Sequence, residues 1–100
     1  MSWASSYIEK LIRGETVEFR PRGHSMTPRI KSGQLCTVEP ILRHTIEIGD
    51  VVLCKVNGSH YIHLVSAIHG PRFRISNNHG HVNGWISIDS IFGKLTNIAP

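Results

Sequence analysis

Cysteine is scarce in this chain, hydrophobic runs are short, and no tract carries charge of a single sign. Only two cysteines occur, Cys36 and Cys54, in apolar stretches and without a CxxC spacing. That excludes a disulfide scaffold and a four-thiolate zinc site, and both are expected to be reduced, buried, small hydrophobes. No apolar run approaches the roughly 18 residues that a membrane-spanning helix needs. The first residues, Met1 to Tyr7, lack the basic segment and apolar core of a signal peptide, so a cytoplasmic location is expected. Repeats and low-complexity tracts are missing too.

What is present is an ordinary globular composition, 40% hydrophobic and 18% charged over 100 residues. That length closes one modest core, and a single domain over 1–100 is expected. Eleven Lys and Arg against seven Asp and Glu give a formal charge of +4. The basic residues are dispersed, and only Arg20, Arg22, Arg29 and Lys31 gather around a loop. They read as a solvated rim or a site for phosphate or an acidic peptide, and nucleic-acid binding is a minor option.

Two periodicities divide the chain. Trp3, Tyr7, Ile8, Leu11 and Ile12 recur at helical spacing, so residues 1–14 should form a short amphipathic helix, with Ser2 as cap and Gly14 as stop. From Thr16 the period becomes two, and 16–95 reads as a β-rich core. Strands are expected at Thr16–Arg20, running into Pro21, and at Gln34–Glu39, Val51–Val56, Tyr61–Ile68 and Phe73–Ser76, with a final strand or strands over Trp85–Leu95, broken near Asp89–Ser90. Asn57-Gly58 predicts a tight hairpin between about Asp50 and Ala67. Two prolines and a glycine make Pro21–Pro28 a shaped loop, and Asn77–Gly84 is rich in Gly and Asn. The fold class is mostly β with one N-terminal helix.

Four motifs follow in order: Gly23-His24-Ser25-Met26-Thr27-Pro28; Ile48-Gly49-Asp50-Val51-Val52; Tyr61-Ile62-His63-Leu64-Val65; and Ile75-Ser76-Asn77-Asn78 with a closing Ile91-Phe92-Gly93-Lys94-Leu95. This ordered set resembles the LexA and signal peptidase superfamily of serine peptidases over roughly residues 16–95. The resemblance implies a coiled β-sheet fold in which Ser25 is the nucleophile and the strand after the hairpin carries the base. Most of that superfamily has a lysine there, and this chain has His63. Imidazole is largely neutral near pH 7, whereas a lysine must be desolvated before it can accept a proton. The endoplasmic-reticulum type of signal peptidase similarly pairs serine with histidine.

On this reading Gly23, His24 and Met26 belong to the oxyanion and substrate loop. Gly23 leaves room for backbone near a scissile carbonyl, amides of Gly23 to Ser25 hold the oxyanion, and Met26 faces the apolar floor. Tyr61 and His63 share one strand face and Ile62 and Leu64 the other, which turns His63 to the cleft, while His60 is expected to be exposed. Asp89 is the aspartate that the resemblance offers to orient His63; a turn or capping role is the alternative. Asp50 reads as structural. Seven histidines raise the question of a metal, but none of their spacings suits one, so neither metal nor cofactor is expected.

The implied activity is that of a serine endopeptidase acting in trans on a protein or peptide, through a Ser-His dyad or Ser-His-Asp triad. The competing reading is a silent member of the fold that binds a peptide or protein partner. Only 24 residues precede Ser25, and neither a DNA-binding domain nor a scissile Ala-Gly or Cys-Gly pair is expected there.

Overall fold

The computed structural model describes residues 2–100, so Met1 lies outside it. One helix, α1 (Ser5–Ile12), precedes seven strands: β1 (Val17–Phe19), β2 (Cys36–Pro40), β3 (Val51–Val56), β4 (Ser59–His69), β5 (Arg72–Ser76), β6 (Val82–Ser87) and β7 (Ile91–Ile98). They form a single antiparallel sheet in the order β1-β2-β7-β3-β4-β5-β6. The protein is therefore mostly β with one short helix, as its periodicity predicts.

Helix α1 starts later than expected. Ser2 does not cap it; the Ser2 hydroxyl accepts the Ala4 N–H at 3.1 Å and bonds the His60 ring instead. At the other end Gly14, at φ +86°, donates to the Leu11 carbonyl while Glu15 donates to the Lys10 carbonyl. This 6→1 and 5→2 pair is a Schellman stop, which needs a left-handed residue at the Gly14 position.

Strand β3 explains the shape of the sheet. Its sequence VVLCKV is apolar at every position but Lys55, so both faces seek cover. Val51 and Leu53 join one core with Leu11, Phe19, Met26, Ile30, Val38 and Ile62. Val52, Cys54 and Val56 join a second with Val65, Ile75, Ile86 and Ile91. The helix and the loop after β1 close the first core. The second closes because the sheet curls until β6 meets β3: a Cβ on Gly84 would stand 3.1 Å from the Val56 side chain. Each fully buried Val or Leu contributes about 1.5–3 kcal/mol relative to exposure.

The hairpin at Asn57-Gly58 forms in register, with Val56 opposite Ser59 and Val52 opposite His63. Both turn residues have positive φ, 49° and 85°, as a type I′ turn requires. Cys36 and Cys54 are free and buried, and burial pushes the Cys54 thiol up to about 12. The Gly-Asp entry to β3 is structural, as expected. Gly49 donates to the Val65 carbonyl, Val65 donates to the Asp50 carbonyl, and the Asp50 carboxylate accepts the Glu47 N–H at 2.8 Å and pairs with Lys94 at 3.4 Å.

Gly93 lets α1 lie close on β7. A Cβ there would stand 2.6 Å from Val38 Cγ1, 2.8 Å from the Glu39 carbonyl and 3.1 Å from Leu11 Cδ1. Backbone cannot yield as a flexible side chain can. Gly93→Ala is therefore expected to lower unfolding stability by about 1–3 kcal/mol, read as a lower denaturant midpoint at unchanged slope; an unchanged midpoint would contradict this packing.

Candidate active site

Ser25 and His63 meet in space although 38 positions separate them: Ser25 Oγ lies 3.1 Å from His63 Nε2. The two reach this point differently. Ser25 is exposed on the loop after β1, whereas His63 is buried at 6% exposure within β4. Alternation along β4 sends Ile62 into the first core and leaves Tyr61 and His63 on the opposite face, their rings stacked at 4.7 Å.

The other ring nitrogen is held by a residue without a strong sequence signal. Asn83 Oδ1 lies 2.7 Å from His63 Nδ1. A carbonyl oxygen only accepts, so Nδ1 carries the proton and Nε2 turns its lone pair to the Ser25 hydroxyl. That is the tautomer a general base requires. Asp89 takes no part: it lies exposed in a 3-10 turn, Ile88–Ser90, between β6 and β7, and makes no hydrogen bond to His63. The curl that covers β3 brings the start of β6, not its far end, to the imidazole. Asn83 was hidden in a segment that reads as a polar loop, because β6 begins at Val82, three residues before the expected Trp85.

Burial holds the His63 pKa below the ordinary histidine value; the Asn83 hydrogen bond opposes this, and the nearby His81 adds to it. An imidazole so placed stays neutral to lower pH than a solvated one. His60 is half-buried rather than exposed, with Nδ1 at 2.7 Å from Ser2 Oγ. Its pKa is lowered too, by burial and then by the charge of Lys55.

The serine loop is tied down from several sides. The His24 carbonyl accepts Thr27 N–H at 3.2 Å and Thr27 Oγ1 at 2.9 Å, with His79 Nε2 also at 2.9 Å. The Ser25 carbonyl accepts the Asn78 N–H at 2.8 Å, and Asn78 Nδ2 donates to the Thr27 carbonyl at 3.0 Å. Asn77 shapes the clamping turn, its Oδ1 accepting the N–H groups of His79 and His81. Met26 is buried in the first core, as its place in the motif suggests.

These ties orient the amides. In a trans peptide the C=O and the next N–H point oppositely, so fixing the His24 carbonyl on the 77–81 turn aims the Ser25 N–H away from it. Among the described residues that N–H has no acceptor. The Gly23 N–H donates to Ser32 Oγ at 3.1 Å, so of the three amides from Gly23 to Ser25 those of His24 and Ser25 have no acceptor among the described residues. Gly23 contributes its φ of +104° to the turn.

No three His, Cys, Asp or Glu side chains gather at metal-binding distance among the described residues. No helix is long and apolar enough to cross a membrane. No protein-family model and no curated protein matches the chain.

Replacing Asn83 by Leu keeps the bulk and removes the acceptor. In an NMR pH titration the His63 ring of the native protein is expected to titrate below the solvated value of about 6.5, and that of Asn83→Leu lower still, because the lost hydrogen bond favoured the charged ring. An upward shift in the variant would contradict the Nδ1 contact.

Proposed function

We propose that the protein is a serine endopeptidase that cleaves a protein or peptide in trans, with Ser25 as nucleophile, His63 as general base and Asn83 as positioning residue. The observation that carries this reading is the continuous chain from Ser25 Oγ through both His63 nitrogens to Asn83 Oδ1, at 3.1 and 2.7 Å. The ordered motifs that resemble the LexA and signal peptidase superfamily support it independently.

The chemistry closes without a cofactor. Ser25 Oγ attacks the peptide carbonyl carbon as its proton passes to His63 Nε2, and the Ser25 N–H holds the oxygen that becomes negative. Collapse of the tetrahedral intermediate breaks the C–N bond while His63 returns the proton to the leaving amine. Water then attacks the acyl carbon as its proton passes to the same nitrogen; collapse of this second intermediate breaks the bond between the acyl carbon and Ser25 Oγ, His63 returns the proton to Oγ, and the acyl group leaves as a carboxylic acid. An asparagine serves as orienter in papain-like proteases, where it holds the histidine tautomer without a second charge. Here β1 and β6 are the edge strands, and an extended peptide paired with such an edge would gain main-chain hydrogen bonds.

The neutrality of Asn83 favours one other reading, a module that binds a peptide without turnover, since an amide stabilises the imidazolium less than a carboxylate does. Covalent labelling by a fluorophosphonate separates the two. The native protein should label at Ser25 and Ser25→Ala should not. His63→Ala should label about 10²- to 10⁴-fold more slowly, Asn83→Leu about tenfold more slowly, and Asp89→Ala within about twofold of native. With His63 depressed, the neutral base persists as pH falls. The acid limb of the labelling rate should therefore lie below the ordinary histidine value, and lower again in Asn83→Leu. Equal labelling of native, Ser25→Ala and His63→Ala would overturn the peptidase reading.

A further inference from the structure

Next to Ser25 and His63 lies a cleft of about 420 Å3 whose far wall comes from the N-terminal segment. It falls within the range of roughly 300–1,000 Å3 over which pockets hold a small ligand or a few residues of peptide. Its wall is aromatic. Tyr7 stacks on Phe19 at 4.7 Å between centroids, and Trp3 leans on Phe19 at 5.5 Å with the planes tilted by 54°. Phe19 is buried, but Trp3 stays 49% exposed. One side of the indole is fixed against its neighbours and the other is open, an arrangement suited to receiving a further ring or aliphatic chain.

The rim of the same cleft is cationic. Arg20 and Arg22 line it, and no Asp or Glu does. Arg20 spends one donor on the Gly33 carbonyl at 2.9 Å and keeps the rest of its guanidinium, and Arg22 has no hydrogen-bond or carboxylate partner among the described residues. Glu18, the nearest acid in sequence, is bonded to Thr37 on β2. His60 also lines the cleft, but its depressed pKa leaves it neutral near pH 7, so the positive charge comes from the two arginines.

We infer that this cleft selects the substrate, a peptide carrying a large apolar or aromatic side chain and an adjacent acidic residue beside the bond that is cut. Trp3 and Tyr7, backed by the buried Phe19, take the apolar side chain, and Arg20 and Arg22 take the carboxylate, which a guanidinium fork matches in geometry as well as charge. The inference rests on Ser25 and His63 being the reacting pair only for the position of the cut; the recognition stands on the cleft itself.

The test uses three peptides that differ at two positions, Phe-Glu, Phe-Lys and Ala-Glu, in cleavage by the full chain and in binding to Ser25→Ala by calorimetry. The native protein should prefer Phe-Glu over each of the others by about tenfold, the worth of one well-placed side chain or ion pair. Trp3→Ala should erase the preference for Phe over Ala. Arg22→Glu, on an exposed side chain that folding does not require, should reverse the preference between Glu and Lys. If Ser25→Ala binds with these preferences and the native protein cleaves nothing, the peptidase reading fails and the cleft inference holds. If the native protein cleaves peptides but neither substitution alters the selectivity, the cleft inference is overturned.

Discussion

Strand β3 has no polar face, and this constraint shapes the rest of the molecule. A strand whose successive side chains are Val51, Val52, Leu53 and Cys54 cannot leave either surface to water without exposing several apolar side chains. One surface is covered by α1 and the loop after β1, the other by the sheet's own far strands. Both coverings also build the site. The first sets Ser25 over β4, anchored through the buried Met26 next to it; the second swings β6 back until Asn83 reaches the His63 ring. The Ser25, His63 and Asn83 contacts are thus by-products of burying one strand, so their geometry is supported by the cores rather than by the loop alone.

Much of this architecture is legible in the residue order, because it follows from local rules. The Asn57-Gly58 turn fixes the β3–β4 register, and register decides which β4 side chains share a face; His63 could therefore be placed before any contact was known. Two prolines and Gly23 show only that Ser25 sits on a shaped loop; its pairing with His63 is suggested by the resemblance carried by the Gly23-His24-Ser25-Met26 motif. The third member was not legible. Asn83 contacts His63 through a curl that depends on seven strands at once, and no periodicity within 77–84 reports it. Asp89 offered a more reactive-looking side chain, but chemical aptitude says nothing of which end of β6 the curl brings inward. The same limit applies to Ser2, whose hydroxyl prefers the His60 ring to the helix end.

Electrostatically the site is simple. One imidazole is buried, held by a neutral amide, and faces the hydroxyl of an exposed serine beside a cleft whose charges are all of one sign. Without a carboxylate behind the ring, folding does not have to desolvate an anion, which would cost several kcal/mol unless it were fully paired. The penalty appears instead in the His63 pKa, which burial lowers.

The division of labour between an exposed loop and a buried strand has a bearing on how this protein can change over generations. His63 and Asn83 sit on strands whose side chains pack both cores, so substitutions around them are constrained by folding itself. The cleft wall of Trp3, Tyr7, Arg20 and Arg22 comes from the N-terminal segment and the loop after β1, which cover the first core but take no part in strand pairing. Exchange of the exposed Trp3, Arg20 and Arg22 side chains can alter the lining of the cleft while the buried Met26 and Ile30 keep the loop, and with it the Ser25–His63 contact, in place, so the lining and the contact are free to evolve at different rates.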